Sequence, residues 1–398
     1  MKSRLLFIRA RGATPEYWMN FGMGIIATVC SSSYDVKCLD NNGSYHIYST
    51  DEMVAIARKY KPSAVCFSIG TMNAYASYVL INALRDTGTN YPIIAGGRHV
   101  GHEVNEALSK GIDYVVRGEA EEVILPLLDS ILTNSFDKDS SSPLTIEGVW
   151  YYRGTELISN GICPFPDALD NYHVDYSLFN ENDFYRSHKD RNIHSAILTS
   201  RGCPFSCSFC SDIFSRRKVR YRSIDNVINE IRSKIEKYKI DNVNILDADF
   251  TLDLERIKEF CLKVIDAGIA GKVTFSCQSD SYRTLDKELL FLMKKTGFNL
   301  FAMGIERLSP KSRKLIKKPI QQQVIYQNLH ALSEVGFYVG INLLIGFDFE
   351  THQTLEEEKQ YFKDALDKWA NLVSTSILWP MPGTHVYNDQ PEIHGWYL

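Results

Sequence analysis

The sequence has 398 residues, of which 44% are hydrophobic and 23% charged, and its formal net charge is −4. This composition excludes a disordered chain, and the length fits two domains better than one. The slight acidity gives no electrostatic footprint for nucleic acid or for an acidic membrane surface, so neither is expected as a partner.

The N-terminus, MKSRLLFIRARGATPEYW, has charges inside its apolar run and lacks the apolar core of a signal peptide. No stretch approaches the ~18 uninterrupted apolar residues of a membrane-spanning helix. We therefore expect a cytoplasmic protein in a reducing compartment. Its nine cysteines are then expected to be thiols or metal ligands.

Residues 4 to 133 alternate short apolar runs with amphipathic stretches. Five strands are predicted at RLLFIRA, DVKCLD, SAVCFSI, YPIIAG and YVVRG, with helices near 21–31, 50–60, 73–86, 103–109 and 120–133. Runs rich in Val, Ile, Leu and Phe are typical of a parallel sheet that is covered on both faces. The pattern predicts a doubly wound, Rossmann-like α/β domain over residues 1–134.

Residues 135–192 are predicted to be a linker that contains a small β-hairpin. TNSFDKDSSSP is a polar loop, and IEGVWYYRGTELI predicts a hairpin that turns near Arg153 and Gly154. The remainder is polar and aromatic without clear periodicity, so we expect it to pack on the surface.

From residue 193 a second βα pattern begins. Six strands are predicted at HSAILTS, NVNILDA, KVTFSCQ, NLFAMGI, YVGINLLIG and VSTSILW, with helices near 223–238, 253–267, 285–296, 309–317, 321–335 and 353–370. Six units are too few for a closed eight-stranded barrel. They predict a partial (β/α)6 TIM-like barrel over residues 193–385, followed by a short tail at 386–398.

Active sites of parallel α/β barrels lie at the carboxyl ends of the strands. The six strands lead into the segments SRGCPFSCSFCSD, DADFT, CQSDSYR, GIERLSP, IGFDFET and WPMPGT. Each of these segments is polar or rich in Gly and Pro. Together they predict one large cofactor pocket at one face of the barrel.

Three cysteines, Cys203, Cys207 and Cys210, follow the first barrel strand with the spacing C-x3-C-x2-C. Thiolates are soft ligands that select zinc, copper(I) or iron–sulfur clusters. Three thiolates can hold three irons of a cubane cluster and leave the fourth iron to an exogenous ligand. The spacing favours an iron–sulfur cluster, and the alternative is a zinc site completed by His188 or His194.

CPFSCSFC resembles the cluster loop of the radical S-adenosylmethionine (SAM) enzymes, including Phe209 just before the last cysteine. NILDADFTLDLERIKEFC, MGIERLSPKSRKLIKK, IGFDFET and PMPGT are similar to segments of that family's cobalamin-binding branch. CFSIGT, IIAGGRHVG and VVRGEAEE resemble the cobalamin-binding domain of the same branch. The resemblance covers residues 3–133 and 193–385.

The resemblance implies three cofactors. Cys203, Cys207 and Cys210 would ligate a 4Fe–4S cluster, and SAM would bind the open iron through its amino and carboxylate groups. An electron from a donor such as flavodoxin or ferredoxin would then break SAM into methionine and a 5′-deoxyadenosyl radical. Such low reduction potentials are within the range of protein-bound clusters. Cobalamin would be the third cofactor.

The resemblance also places SAM contacts at the strand ends. Asp247 and Asp249 lie where the family contacts the methionine amino group, and Glu306 where it contacts the ribose or methionyl part. The other implied contacts are Phe209, Gln278, Ile345, Gly346, Met381 and Pro382. Structural alternatives are a helix cap for Asp249, an ion pair for Glu306 and a simple turn for PMPGT. No catalytic side chain is assigned.

In the first domain, glycines and small hydroxyls follow the third and fourth strands, where a bulky ligand could approach the backbone closely. The cobalamin contacts implied by the resemblance are Ser68, Gly70, Thr71, Gly96, Gly97 and Glu119, with Arg98 and His99 near the same face. The Asp-x-His-x-x-Gly signature of many cobalamin carriers is absent. No histidine of RARGATPEYWMNFG can therefore be the lower ligand of cobalt.

We expect a cobalamin-dependent methyltransferase that uses a radical and methylcobalamin to methylate an unactivated carbon of a small molecule or peptide. The alternatives are a cyclase or rearrangement enzyme with the same cofactors, a radical enzyme that has lost cobalamin, and a non-enzymatic zinc protein.

Two departures from the family bear on the pocket. Many relatives have a further domain after PMPGT, whereas this sequence ends soon after it. Either the sequence is part of a longer protein, or a peptide or partner protein is expected to close the barrel. Arg307 and Leu308 also stand where relatives often carry small residues.

Overall fold

The computed structural model describes residues 2–14, 19–42, 47–133, 143–179, 195–211, 218–318 and 320–398. Contacts divide the chain into two units. The first comprises Met1–Ile193, Met381–Gly383 and Tyr387–Leu398, and the second comprises His194–Pro380 and Thr384–Val386. Within the described ranges, no helix combines the length and apolar character needed to cross a bilayer.

The first unit is built on a seven-stranded sheet in the order β2-β1-β3-β4-β5-β6-β7. Its strands are β1 (Arg4–Arg9), β2 (Asp35–Asp40), β3 (Ala64–Ser68), β4 (Ile93–Gly96), β5 (Tyr114–Val116), β6 (Val149–Arg153) and β7 (Glu156–Ser159). The first five are parallel, and the strand order reverses direction between β1 and β3. This confirms the predicted doubly wound, Rossmann-like fold.

In the described part of this unit, six helices accompany the sheet: α1 (Phe21–Ser31), α2 (Thr50–Tyr60), α3 (Ala74–Arg85), α4 (Arg98–His102), α5 (Val104–Ser109) and α6 (Ile124–Leu132). The start of α2 shows how the sequence sets a helix boundary. Ser49 accepts a hydrogen bond from the backbone of Glu52, whose carboxylate in turn accepts from the backbone of Ser49. This reciprocal capping satisfies two backbone N–H groups that the helix leaves open.

The predicted hairpin is part of the first sheet. β6 pairs antiparallel with β5, through Val115 with Trp150 and Val116 with Val149, and then with β7. Alternation along β6 buries Val149 and Tyr151, while their neighbours remain more exposed. The hairpin therefore extends the sheet at the β5 edge, whereas the sequence analysis placed it in a linker outside the sheet.

The second unit contains a six-stranded parallel sheet in the order β15-β14-β13-β12-β11-β8. Its strands are β8 (Ala196–Ile197), β11 (Asn242–Ile245), β12 (Thr274–Ser279), β13 (Phe298–Glu306), β14 (Tyr338–Ile345) and β15 (Leu372–Ile377). The crossover helices are α7 (Ile224–Tyr238), α8 (Leu254–Asp266), α9 (Lys287–Thr296), α10 (Pro310–Leu315), α11 (Gln322–Val335) and α12 (His352–Lys368). The sheet and its helices enclose one continuous core, consistent with the predicted partial barrel.

The first barrel strand is shorter than predicted. β8 ends at Ile197, and the chain then bends so that β9 (Ser200–Arg201) pairs antiparallel with β10 (Arg220–Tyr221). The bend is explained by two hydrogen bonds, because the backbone N–H groups of Thr199 and Ser200 donate to the Asp247 carboxylate. These groups are therefore not available to continue the β8–β11 ladder.

The C-terminal tail contains a short helix α13 (His385–Asn388) and a 3-10 turn (Pro391–Ile393). Tyr387 and Tyr397 are buried in the hydrophobic core of the first unit. The Tyr397 hydroxyl donates to Glu106 at 2.9 Å, and its ring meets His99 edge-on with the centroids 4.6 Å apart. Residues 387–398 thus complete a fold that begins at the other end of the chain.

Candidate functional site

The loop after β9 carries three thiols that form no disulfide, those of Cys203, Cys207 and Cys210. Cys207 is buried and the other two are half-buried. Burial, with smaller effects from neighbouring groups, raises the pKa of Cys203 to about 12 and that of Cys207 to about 11. Each of these two pKa values is also raised by a second thiol of the loop, so the sulfur atoms are close enough to interact electrostatically.

This donor set fits a 4Fe–4S cluster in its chemistry: three soft ligands on one short loop, with no disulfide between them. Among the described residues, no three His, Cys, Asp or Glu side chains are already gathered as ligands around one point. Seating a cluster therefore needs the thiols to converge. His188 and His194, the alternative zinc ligands, lie outside the described residues.

Contacts on several sides hold the cysteine loop in place. The backbone N–H of Ser208 donates to the carbonyl of Ile316 at 3.0 Å, and the carbonyl of Ser208 accepts from Val386 at 3.3 Å. The Phe205 ring meets Tyr282 with centroids 4.7 Å apart, and Phe209 meets Phe347 edge-on at 6.2 Å. The loop is thus tied to segments that follow other barrel strands.

Asp247 is part of this support. It is 1% exposed and accepts hydrogen bonds from the N–H and hydroxyl of Thr199, at 2.6 and 2.5 Å, and from those of Ser200, at 3.1 and 2.7 Å. Its carboxylate is therefore fully engaged with the chain just before the cysteine loop. This geometry fits a positioning residue better than the predicted SAM contact.

Asp249 differs from Asp247 although both belong to DADFT. Its Oδ1 accepts from the N–H and hydroxyl of Thr251 and caps the 3-10 turn Phe250–Leu252. Asp249 is therefore a cap, the structural alternative that the sequence analysis gave for it. Its buried Oδ2 has no hydrogen-bond partner among the described residues. Burial, and next the charge of Asp280, raise its pKa to about 6. Oδ2 can therefore accept from a ligand.

Lys318 is a site residue that sequence reasoning missed. Its side chain is 5% exposed, and its Nζ lies 3.0 Å from Asp280 Oδ1, 4.0 Å from Glu306 Oε1 and within hydrogen-bonding distance of the Gly304 carbonyl. Burial lowers the pKa of Lys318, but the two carboxylates outweigh burial and raise it. In the sequence, Lys318 ends the run KSRKLIKK, which resembles a solvated charged surface.

Glu306 ends β13 in a left-handed conformation, with φ of 64°, where the register between β13 and β14 shifts. Burial raises its pKa, and Lys318 opposes that rise. The ion-pair alternative for Glu306 is therefore present in the structure. A left-handed non-glycine residue at a strand end stores strain and is often found at functional sites.

Arg307, the departure from the family pattern, is 1% exposed. It forms an ion pair with Glu350, and its guanidinium lies 5.2 Å from the centre of the Phe347 ring. Its Nε has no hydrogen-bond partner among the described residues. Since Phe347 also contacts Phe209, Arg307 connects the end of β13 with the cysteine loop.

The remaining predicted SAM contacts fall into two groups. Gln278 is exposed on β12, Ile345 is half-buried at the end of β14, and Gly346 is exposed beyond it. Met381 and Pro382 belong by their contacts to the first unit. The second unit thus brings together the cysteines, Asp249, Asp280, Glu306 and Lys318, but it does not include Met381 and Pro382.

The predicted cobalamin contacts lie after the carboxyl ends of adjacent strands of the first sheet. Ser68 ends β3 beside Gly96 of β4, Gly70 and Thr71 follow β3, Gly97 follows β4, and Glu119 follows β5. Gly97 has φ of 118°, and a Cβ there would lie 2.4 Å from the Ile69 carbonyl oxygen. Gly70 and Gly97 are both exposed, so bare backbone fits the close approach of a bulky ligand such as cobalamin.

Asn73 and His99 support the loops after β3 and β4 through hydrogen bonds. Asn73 accepts from the Gly70 N–H at 2.7 Å and donates to the carbonyls of Ser68 and Ala10. His99 is fully buried, with Nδ1 3.3 Å from the Thr71 hydroxyl and Nε2 3.1 Å from Glu106. Both ring nitrogens are engaged, so His99 is placed to support the loop rather than to bind a ligand.

Comparison with protein families gives two matches. The model of the radical SAM superfamily matches residues 197–362, and the model of the B12 binding domain matches residues 10–128. The first match lies within the barrel and ends before β15, and the second lies within the doubly wound sheet and spans β2 to β5.

Among curated proteins, the chain is 25% identical over 391 residues to the anaerobic magnesium-protoporphyrin IX monomethyl ester cyclase of Cereibacter sphaeroides. The alignment covers 96% of this chain and 62% of that protein. An uncharacterized methyltransferase of Pyrococcus horikoshii is 26% identical over 370 residues, with 92% of this chain and 77% of that protein covered.

Among solved structures, the fold is similar to the radical SAM methyltransferase TsrM from Kitasatospora setae, solved with cobalamin and a [4Fe-4S] cluster bound. The TM-score is 0.77 at 15% identity, covering 98% of this chain and 75% of that one. The cofactors of a chain with these two domains are a 4Fe–4S cluster, SAM and cobalamin. The chain therefore carries a match to the radical SAM superfamily in its barrel and a match to the B12 binding domain in its doubly wound sheet, the two domains that its motifs indicated.

Proposed function

We propose that this protein is a cobalamin-dependent radical SAM methyltransferase that methylates an unactivated carbon. We assign residues 1–134 to cobalamin binding and residues 193–385 to the radical SAM barrel. The observation that carries the proposal is one cluster of groups in the second unit. It contains three thiols that form no disulfide, the buried Asp249 Oδ2 without a hydrogen-bond partner among the described residues, and the buried Lys318.

When bound, the cluster and SAM supply a carbon-centred radical, and cobalamin supplies a methyl group. In this assignment Cys203, Cys207 and Cys210 hold the cluster, and Asp247 positions their loop through Thr199 and Ser200. The Asp249 Oδ2 atom would accept a charge-assisted hydrogen bond from the ammonium group of SAM.

Lys318 and Glu306 are charged groups near Cys207. The Lys318 ammonium stabilises negative charge on Cys207, whose pKa it lowers against the effect of burial. We assign the same ammonium to the carboxylate of SAM, with Asp280 holding it in place at 3.0 Å. Gln278, Ile345, Gly346, Phe209, Met381 and Pro382 remain proposed contacts of SAM.

On the first unit, the backbone at Gly70, Gly96 and Gly97 lets cobalamin approach closely, and the hydroxyls of Ser68 and Thr71 bond its polar groups. Glu119 is assigned to the same edge. We further propose a cytoplasmic protein with a small-molecule or peptide substrate and a one-electron carrier as partner. None of the nine cysteines, all of which lie among the described residues, forms a disulfide, which agrees with a reducing compartment.

A cyclase or rearrangement reaction is the second candidate. It is favoured by the 25% identity of the cyclase relative over 96% of this chain. Both candidates use the same pocket. They differ in whether the methyl group of SAM is transferred to cobalamin.

The test does not need the substrate. The protein is purified without oxygen, reconstituted with iron, sulfide and cobalamin, reduced, and incubated with SAM that carries a labelled methyl group. Label on cobalamin together with 5′-deoxyadenosine supports the methyltransferase. Formation of 5′-deoxyadenosine without label on cobalamin favours the second candidate, and zinc in place of iron would overturn both.

A further inference from the structure

A chain of hydrogen bonds in the first unit connects the C-terminal tail with the loop after β3. The Tyr397 hydroxyl donates to Glu106 Oε2 at 2.9 Å, and the Tyr78 hydroxyl donates to Glu106 Oε1 at 2.9 Å. His99 Nε2 lies 3.1 Å from the same Oε1, and His99 Nδ1 lies 3.3 Å from the Thr71 hydroxyl. The hydrogen bonds therefore end at Thr71, one of the residues assigned to cobalamin.

The two groups that face His99 Nε2 are both hydrogen-bond acceptors. Burial alone raises the pKa of Glu106, but hydrogen bonds from His99, Tyr78 and Tyr397 outweigh burial and lower that pKa. Glu106 is therefore a carboxylate at neutral pH, and a carboxylate only accepts hydrogen bonds. The Tyr78 hydroxyl donates its proton to Glu106, so its oxygen, 3.2 Å from Nε2, is an acceptor as well. Both neighbours thus require a proton on Nε2 of His99.

The position of this proton decides the direction of the hydrogen bond to Thr71. A neutral imidazole with its proton on Nε2 has a lone pair on Nδ1. The Thr71 hydroxyl then donates to Nδ1 and keeps only lone pairs for any other partner. Within the described ranges the hydroxyl has no second hydrogen-bond partner. His99 is fully buried, whereas Thr71 is half-buried beside the exposed Gly70, so these lone pairs can accept from a ligand.

We propose that Glu106 and His99 are positioning residues that make the Thr71 hydroxyl a hydrogen-bond acceptor for a primary amide of cobalamin. This inference rests on the proposed function, because it concerns the cofactor assigned to this edge of the sheet. The amide side chains of cobalamin have N–H donors, whereas its phosphate only accepts. An acceptor at Thr71 therefore selects an amide and rejects the phosphate. The ordinary alternative is a network that only stabilises the fold, and it predicts no preference among cobalamin derivatives.

The first test locates the ring proton of His99. The full chain is labelled with nitrogen-15 histidine, and ring proton–nitrogen correlation spectra are recorded at neutral pH, with His99 assigned by the signal that His99→Gln removes. We expect the neutral form with the proton on Nε2. Glu106→Gln, whose amide can accept or donate, should give a mixture of the two neutral forms. A proton on Nδ1, alone or in an imidazolium, would overturn the proposal, because Thr71 would then be the acceptor in this bond.

The second test compares ligands on the full chain. Equilibrium dialysis measures the affinity for hydroxocobalamin and for a set of derivatives, one for each primary amide, in which that amide is converted to a carboxylate. Thr71→Val removes the hydroxyl with little change of shape, and Thr71→Ser retains it. Thr87→Val is the matched control, because Thr87 is also half-buried in the first unit and donates to a backbone carbonyl after α3.

We expect the unaltered protein to bind one derivative at least about tenfold more weakly than hydroxocobalamin, because its carboxylate has no proton for Thr71. Thr71→Val should bind hydroxocobalamin about tenfold more weakly and lose most of this discrimination, whereas Thr71→Ser and Thr87→Val should keep both. An unchanged affinity in Thr71→Val, or an equal loss for hydroxocobalamin and every derivative, would overturn the role of Thr71 alone. Failure of the unaltered protein to bind hydroxocobalamin would overturn the proposed function as well.

Discussion

Two regions of this molecule occupy equivalent places in their sheets, yet they differ in how completely their buried polar side chains are paired. At the carboxyl edge of the first sheet, Arg9 pairs with Asp40 at 2.5 Å, and Asn73 and His99 have partners for their side chains. At the barrel strand ends, Asp249 Oδ2 and Ser281 Oγ are buried without partners among the described residues.

The difference teaches which kind of ligand each edge suits. A buried polar atom without a partner costs about 1–3 kcal/mol, so the barrel is poised to gain from a charged ligand. The carboxyl edge of the first sheet instead exposes glycine backbone, which suits a bulky ligand that binds through close van der Waals contact. The two edges also differ in which residues have a positive φ. In the barrel these are the non-glycine residues Glu306 and Ser281, with φ of 64° and 55°, whereas in the first sheet it is Gly97.

The largest effect should come from the cysteine loop. Replacing Cys203, Cys207 or Cys210 by alanine should abolish 5′-deoxyadenosine formation, because each removes one of three proposed ligands to the cluster. Iron content and SAM cleavage measure the loss. Cys38→Ala, a buried thiol of the first unit, is the matched control and should retain both. Normal cleavage in any of the three loop variants would contradict the assignment.

The second-largest effect should come from a change at Asp247. This variant tests whether Asp247 supports the cysteine loop or contacts SAM. Asp247→Asn keeps one acceptor but turns an amide toward two hydroxyl donors, so we expect a loss of roughly 1–3 kcal/mol in unfolding free energy. Iron retention should fall several-fold in parallel. Asp253→Asn, which alters the cap of α8, is the control and should leave iron retention intact. Full iron retention together with weak SAM binding would instead restore Asp247 as a SAM contact.

The pH dependence of SAM binding should identify Asp249. Its pKa is about 6, above the ordinary 3.8, so the carboxylate is charged above pH 6 and becomes neutral as the pH falls through that value. An ammonium group binds only the charged form well, so the affinity for SAM should fall below pH 6 by about tenfold. Equilibrium binding to the reconstituted protein measures this. Asp249→Asn should bind weakly at every pH, and an unchanged pH profile in that variant would rule out the role.

The smallest effect should lie on the first sheet. Gly97→Ala forces a Cβ against the Ile69 carbonyl oxygen, and we expect a cost of about 1–3 kcal/mol and weaker cobalamin retention. Gly88→Ala is the control, since Gly88 also has positive φ but nothing lies within 4 Å of an added Cβ. Its cost should be about 1 kcal/mol, without loss of cobalamin. Equal cobalamin retention in the two variants would show that the glycine edge is not the binding surface.

The secondary-structure elements and the cysteine loop could be predicted from the sequence, because each depends on residues that are close together in the chain. Short apolar runs predicted strands such as β2, and amphipathic stretches predicted helices such as α2, with the bounds that the structure has. Cys203, Cys207 and Cys210 lie within one loop, so their spacing can be read directly from the sequence.

The roles of the two aspartates could not be predicted, because they depend on partners far away in the chain. Asp247 is engaged by Thr199 and Ser200, 48 and 47 residues earlier, while Asp249 keeps one oxygen free. Lys318 was hidden for a similar reason. Its burial follows from the positions of Asp280 and Glu306, and nothing in the run KSRKLIKK separates it from its exposed neighbours.

The packing of Tyr387 and Tyr397 into the core of the first unit has a consequence for the order of folding. During synthesis, residues 194–380 leave the ribosome after the first sheet but before these two tyrosines. The second unit can therefore collapse while the first still lacks part of its core. The domain that is made first is the one that is completed last.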